Sequence, residues 1–113
     1  MNETNLMNTI LLANHGCRLF RNNTGAIKDQ TGRLVRFGLC KGSSDLIGFK
    51  PVTITPEMVG RTVAIFTAIE VKTPGGKPTP EQLHFVKRVK DHGGIAGIAR
   101  SVEEMLAITN PLL

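Results

Sequence analysis

The chain of 113 residues contains no tryptophan and no tyrosine, and its aromatic content is five phenylalanines. Readers of single strands and RNA loops stack bases on aromatic rings, so this composition disfavours a stacking platform. Cysteine is nearly as scarce: Cys17 and Cys40 are too few for a disulfide scaffold and too far apart for a Cys-x-x-Cys zinc pair, and reduced thiols account for them. No apolar run approaches the roughly 20 residues that span a bilayer, and residues 1–9 lack the basic and apolar blocks of a signal peptide. The expectation is a cytoplasmic protein with no membrane partner. Nucleotide-binding motifs are missing too, since Gly75-Gly76-Lys77 runs into Pro78 without P-loop spacing and no Gly-x-Gly-x-x-Gly opens a helix. No nucleotide cofactor is therefore expected. His84 and His92 stand eight apart rather than at the four-residue spacing of a helical zinc pair, and His15 falls at a helix end, so all three read as structural or surface residues.

What is present is an ordinary folding composition with a basic bias. Hydrophobic residues make up 41% and charged residues 20%, a balance that excludes disordered and fibrous classes and suits one domain over residues 1–113. Fourteen Lys and Arg against nine Asp and Glu leave a net charge of +5. The surplus is concentrated: Arg18, Arg21, Lys28, Arg33, Arg36, Lys41 and Lys50 meet only Asp29 and Asp45 in the same stretch. An anionic partner follows, and with stacking residues scarce, phosphate contact on duplex DNA suits the pattern better than base stacking. Solubility alone is the competing explanation of the charge.

Leu6, Met7, Ile10 and Leu11 recur at helical spacing, predicting a first helix over residues 4–14 that stops at His15-Gly16. Short extended pieces follow, punctuated by Asn23-Thr24-Gly25 and Asp29-Gln30-Thr31-Gly32, and then a strand over residues 45–49 behind Gly42-Ser43-Ser44. Pro51 and Pro56 mark a loop with one helical turn after Thr55. The strongest strand is expected over residues 62–72, apolar on both faces until Glu70 and Lys72 emerge on one of them. Thr79-Pro80-Glu81-Gln82 is a capping box that opens a helix closing at Gly93-Gly94, residues 95–99 form a small-residue strand, and Ser101 with Glu104 suggests a second capping box. The fold class is α/β: a central mixed sheet flanked by helices, in the order α, three or more β, α, β, α (α-β-β-β-α-β-α at its shortest).

Glu70 and Lys72 share one side of one strand, and Asp45 opens a neighbouring candidate strand, so the three can converge. Two carboxylates about 4 Å apart repel by roughly 4 kcal/mol at an effective dielectric near 20, which a divalent cation relieves. Oxygen ligands select hard ions, Mg²⁺ or Mn²⁺, and the backbone carbonyl of Val71 lies between the two side chains as another oxygen. An equally simple reading makes Glu70 and Lys72 an ion pair at a strand end and Asp45 a cap on the Gly-Ser turn.

In order, Gly42-Ser43-Ser44-Asp45-Leu46-Ile47-Gly48, Ile69-Glu70-Val71-Lys72-Thr73 and Gln82 on a helix ending in Gly93-Gly94 closely resemble the VRR-NUC (virus-type replication-repair nuclease) domain of the PD-(D/E)XK nuclease superfamily, over nearly the whole chain. Ser44 stands where the superfamily name has Pro, and residues 51–61 form an inserted excursion. The resemblance implies a restriction-endonuclease-type fold and a Mg²⁺- or Mn²⁺-dependent DNA endonuclease of the small stand-alone phage or bacterial type. It implies Asp45 and Glu70 as metal ligands, Lys72 as the catalytic lysine, Gln82 near the metal and scissile phosphate, and Glu3 as the first-helix glutamate of the same cluster. Gln82 is equally explained by its capping box, and Glu3 by the helix dipole. Arg18, Arg21, Lys28, Arg33, Arg36, Lys41 and Lys77 would bind DNA backbone, with Lys87, Arg88 and Lys90 extending the track or serving a helix C-terminus. The expected substrate is branched DNA such as a four-way junction, cut by a homodimer. The rivals are a DNA-binding accessory protein without cleavage and a restriction-type enzyme reading a sequence.

Overall fold

The computed structural model describes residues 2–13 and 16–110. They fall into two compact units, Met1–Lys50 and Pro51–Leu113. The segment that opens the second unit carries Pro51, Pro56 and Gly60, and its regular structure before residue 67 is a three-residue 3₁₀ turn, Pro56–Met58, where the sequence predicts a helical turn.

In the first unit, helix α1 (Glu3–Leu12) begins at Asn2, whose Oδ1 accepts the N–H of Asn5 at 2.8 Å, with Glu3 placed where the helix dipole favours an acid. It ends earlier than the predicted residue 14, because Ala13 N–H turns back to the carbonyl of Ile10. Asn14 and His15 of the expected stop lie outside the described residues. Strands β1 (Arg18–Arg21) and β4 (Leu46–Phe49) pair antiparallel, as do β2 (Gly25–Lys28) and β3 (Leu34–Phe37). The β2–β3 hairpin turns on Asp29, whose Oδ1 accepts from the N–H and hydroxyl of Thr31 and from the N–H of Arg33. In the β1–β4 ladder a Cβ on Gly48 would stand 1.7 Å from the Arg18 carbonyl oxygen, so only glycine admits that approach. No described side chain of this unit is buried.

The second unit is a β-α-β crossover: β5 (Thr67–Val71), α2 (Pro80–Asp91) and β6 (Ile95–Ala99), with β5 and β6 parallel, followed by α3 (Val102–Thr109) packed on β6. Val89 of α2, 1% exposed, and Ala96 and Ala99 of β6 are the buried hydrophobic residues among those described, the two alanines on opposite faces of their strand. Small residues on β6 let the helices approach, and Gly94 continues this at the helix exit, where a Cβ would lie 2.6 Å from Val89 Cγ1 and 2.9 Å from the Phe66 carbonyl oxygen. The predicted strand over residues 62–72 is shorter, because β6 offers a five-residue partner whose register starts at Thr67↔Ile95. The second capping box also differs: Ser101 Oγ accepts from Glu104 N–H, but Glu104 Oε1 accepts from Arg100 N–H, one residue before the N-cap. The class is α/β, with parallel and antiparallel pairs in three two-stranded ladders and five strands between α1 and α2.

Candidate active site

Pairing with β6 straightens β5, and the Lys72 N–H donates to the Ala99 carbonyl at 3.1 Å, carrying the ladder one residue past the strand. Side chains two apart then face one way, and Lys72 Nζ lies 3.9 Å from Glu70 Oε2, both side chains half-buried. The ion pair that the sequence allows is therefore present. It is longer than the ~2.7–2.9 Å of a charge-assisted hydrogen bond and worth about 1 kcal/mol at most, so it leaves carboxylate oxygens available for other work.

A cleft of about 360 Å³ lies between β5 and the first two turns of α2, with Glu70, Glu81 and Gln82 as its ionisable and amide groups and Ala68, Phe85 and Val86 among its apolar walls. Glu70 and Gln82, 12 positions apart in sequence, thus share one recess. The capping box is complete: Gln82 N–H donates to Thr79 Oγ1 at 3.2 Å and Thr79 N–H donates to Gln82 Oε1 at 2.8 Å. Pro80 at the first helical position preorganises that turn. Glu81 is a cleft residue that sequence reasoning passes over. Its signal is position alone, since the residue before Gln82 in a first turn sits close to the face that meets β5.

Asp45 belongs to the first unit, at the entrance to β4. The preceding loop is held by Asn22, whose Nδ2 donates to Ser43 Oγ at 2.6 Å and to the Ser44 carbonyl at 3.0 Å while its Oδ1 accepts Leu39 N–H at 3.1 Å. Asn22 N–H donates to the Asp45 carbonyl at 2.8 Å. Ser43 Oγ closes the turn on the Cys40 carbonyl at 2.6 Å. Serine and asparagine hold this turn, and within the described residues of its unit the Asp45 carboxylate makes no hydrogen bond or ion pair. That removes the capping explanation of Asp45. Asn22 is the second residue the sequence conceals, since an Asn after a strand reads as punctuation. Glu3 lies exposed in the first turn of α1.

The basic residues of the first unit separate into groups. On the β2–β3 hairpin Lys28 and Arg36 share a face, because Ala26 is opposite Arg36 and lies two before Lys28. Arg36 and Lys41 both line a second cleft of about 490 Å³. Arg18 and Arg21 lie on opposite faces of β1, and the Arg21 guanidinium is engaged with Asn8 Oδ1 of α1. Arg33 closes the hairpin turn through its backbone. In the second unit, Arg100 Nη2 donates to the Gly76 carbonyl at 2.9 Å and so ties down the loop that carries Lys77. Lys87 pairs with Asp91 at 2.7 Å, one turn along α2, and this bond holds the Asp91 carboxyl below its ordinary range.

The second-unit cleft fits a hard cation in its donor chemistry: its ionisable groups are carboxylates, it contains no imidazole or thiolate, and Glu70 is only loosely engaged by Lys72. Among the described residues no three His, Cys, Asp or Glu side chains gather in one place. No helix among them is long and apolar enough to cross a membrane. A family model described as VRR-NUC domain matches residues 6–103. No curated protein and no solved structure matches the chain.

Proposed function

The chain belongs to the VRR-NUC domain family, whose membership implies a nuclease-type function with DNA as substrate, and from that premise we propose that it is a Mg²⁺- or Mn²⁺-dependent DNA endonuclease selective for branched structures such as four-way junctions. The observation that supports this most is the shared cleft of Glu70 and Gln82 with Lys72 beside Glu70, all inside the matched region.

In this reading Asp45, Glu70 and the Val71 carbonyl would hold the metal, with Glu3 as an additional carboxylate. The bound cation would supply Lewis acidity at the scissile phosphate and lower the pKa of a water. Lys72 orients the attacking water and offsets the negative charge that gathers beside Glu70. Gln82 contacts the phosphate from the opposite wall of the cleft. Lys28, Arg36 and Lys41 supply a grouped set of backbone-phosphate contacts, and Arg18, Arg21, Arg33 and Lys77 add further ones. Backbone contacts carry no base code, so selection falls on DNA shape. Two strands need two cuts, which a twofold homodimer provides. The setting is the cytoplasm of a bacterial or phage-infected cell.

The test is cleavage of labelled linear, flap and four-way DNA with Mg²⁺, Mn²⁺ or EDTA, beside Glu70→Ala. Metal-dependent cutting of branched substrates that disappears in Glu70→Ala is the expected result. Binding without cutting under every metal would instead identify a DNA-binding accessory protein, and cutting at one sequence in linear DNA a restriction-type enzyme.

A further inference from the structure

Gln82 is explained twice over, by its capping box and by its place in the cleft, and the hydrogen bonds show how the two roles divide. The Thr79 backbone N–H can only donate, so the atom it meets at 2.8 Å must be the oxygen of the Gln82 amide. The amide is thereby fixed in one orientation. Its Oε1 is engaged by the N-cap, while its Nε2 has no hydrogen-bond partner among the described residues, leaving two N–H donors on a side chain that lines the cleft with Glu70. Glu70 and Glu81 both repel an incoming phosphodiester, and the side-chain N–H groups of Gln82 are the donors on the α2 wall of that cleft. A neutral donor there can bond a phosphate oxygen without competing for the cation as a third carboxylate would.

We propose that Thr79 is a positioning residue for phosphodiester recognition: its backbone N–H holds the oxygen of Gln82 and so presents the amide to the scissile phosphate purely as a donor. This rests on the nuclease reading of the cleft. It assigns Gln82 to the phosphate rather than to the metal, and it makes the cap part of the catalytic arrangement. The same geometry explains why glutamine stands where the capping box accepts glutamate equally well. A glutamate would cap the helix and suit its dipole, but it would face the phosphate with an acceptor.

Gln82→Glu separates the roles, because it keeps the acceptor for Thr79 and removes the donors. The expected result is a melting temperature equal to or above that of the parent, Mn²⁺ binding by calorimetry no weaker than in the parent, and a fall in junction cleavage of about a hundredfold, the usual cost of one lost transition-state donor. Binding of the four-way junction in Ca²⁺ should weaken as well. A second pair of variants isolates the Thr79 N–H. Thr79→Val keeps it and deletes only the hydroxyl cap, whereas Thr79→Pro deletes both at a position whose φ of −76° proline accepts. Thr79→Pro should cleave at least tenfold more slowly than Thr79→Val, with the loss in kcat. Parent-like cleavage by Gln82→Glu, or equal rates for the two Thr79 variants, while Glu70→Ala is inert, would overturn the proposal and leave Gln82 as a cap only. Glu70→Ala that cleaves and binds Mn²⁺ like the parent would bring down the nuclease site and the proposal with it.

Discussion

The two units place their candidate site residues by different physical means. In Pro51–Leu113, Glu70 and Lys72 ride on a strand paired along its length and backed by a helix whose Val89 is 1% exposed, and Gln82 is fixed by a complete capping box. In Met1–Lys50, no described side chain is buried, and Asp45 follows a loop held by the hydrogen bonds of one asparagine. Burial resists water and hydrogen bonds at a surface do not, so the first arrangement is expected to be rigid and the second to depend on individual polar atoms. The contrast separates the candidate residues into a set fixed by strand pairing and a helix cap and a single carboxylate whose loop is held by individual polar atoms.

The sharpest break in that comparison is chemical. Asp45→Asn and Glu70→Gln each remove one negative charge and almost no volume, and each is expected to lower metal-dependent cleavage on the order of a thousandfold through loss of preorganised charge stabilisation. Single-turnover cleavage checks this, with circular dichroism showing an unchanged fold. A large loss for Glu70→Gln beside an unaffected Asp45→Asn would restrict the chemistry to the second unit. Next in size is the core. Val89→Ala removes two methyl carbons from the one fully buried side chain among the described residues and should cost about 2 kcal/mol, read from urea unfolding monitored at α2 and β6 amides. No single apolar truncation in the first unit should approach that value.

Patterns written in adjacent residues are legible in the amino-acid sequence alone. The Thr79 to Gln82 capping box, the Asp29 turn and the small-residue strand over Ile95–Ala99 all stand where the sequence puts them. Glu70 and Lys72 are legible because a period of two needs only one strand. What escapes is non-local. The expected strand over residues 62–72 is cut to Thr67–Val71 by the length of its partner, which no property of the strand itself encodes. Asn22 escapes because its partners, Leu39, Ser43 and Ser44, lie 17 to 22 positions away. Glu81 escapes because helix register alone does not say which strand a first turn will face. The basic track is legible as charge but not as geometry, since ladder register sends Arg18 and Arg21 to opposite faces and groups Lys28 with Arg36.

Asn22→Ala sharpens the comparison further. It deletes the three side-chain bonds that hold the loop before Asp45 while leaving the Asn22 backbone bond to the Asp45 carbonyl in place. The expected cost is about 1.5 kcal/mol, given that each of these three partly solvated bonds contributes on the order of 0.5 kcal/mol. The measurement is amide exchange at Leu39, which should accelerate while exchange across β5 and β6 stays unchanged. Junction cleavage should fall with it through kcat if Asp45 is a ligand. Unchanged exchange at Leu39 would show that the loop stands without its asparagine.

The smallest effect tests the same unit by pH. The Asp29 carboxyl is held below its ordinary range, first by the Thr31 hydroxyl and then by the Arg33 N–H. A depressed folded pKa means that the stabilisation is fully present above the unfolded aspartate value of about 3.9 and is lost as pH falls through the lower folded value. The β2–β3 hairpin should therefore loosen only below roughly pH 4, a window checked by following the Asp29 carboxyl carbon and the Arg33 amide through an acid titration. In Asp29→Asn the side-chain oxygen still accepts from Thr31 and Arg33, so the hairpin should persist at neutral pH and lose this acid transition. A hairpin equally loose at pH 3 and pH 7 in the parent would show that the turn chemistry, although complete in its bonds, does not govern the stability of a unit in which no described side chain is buried to support it.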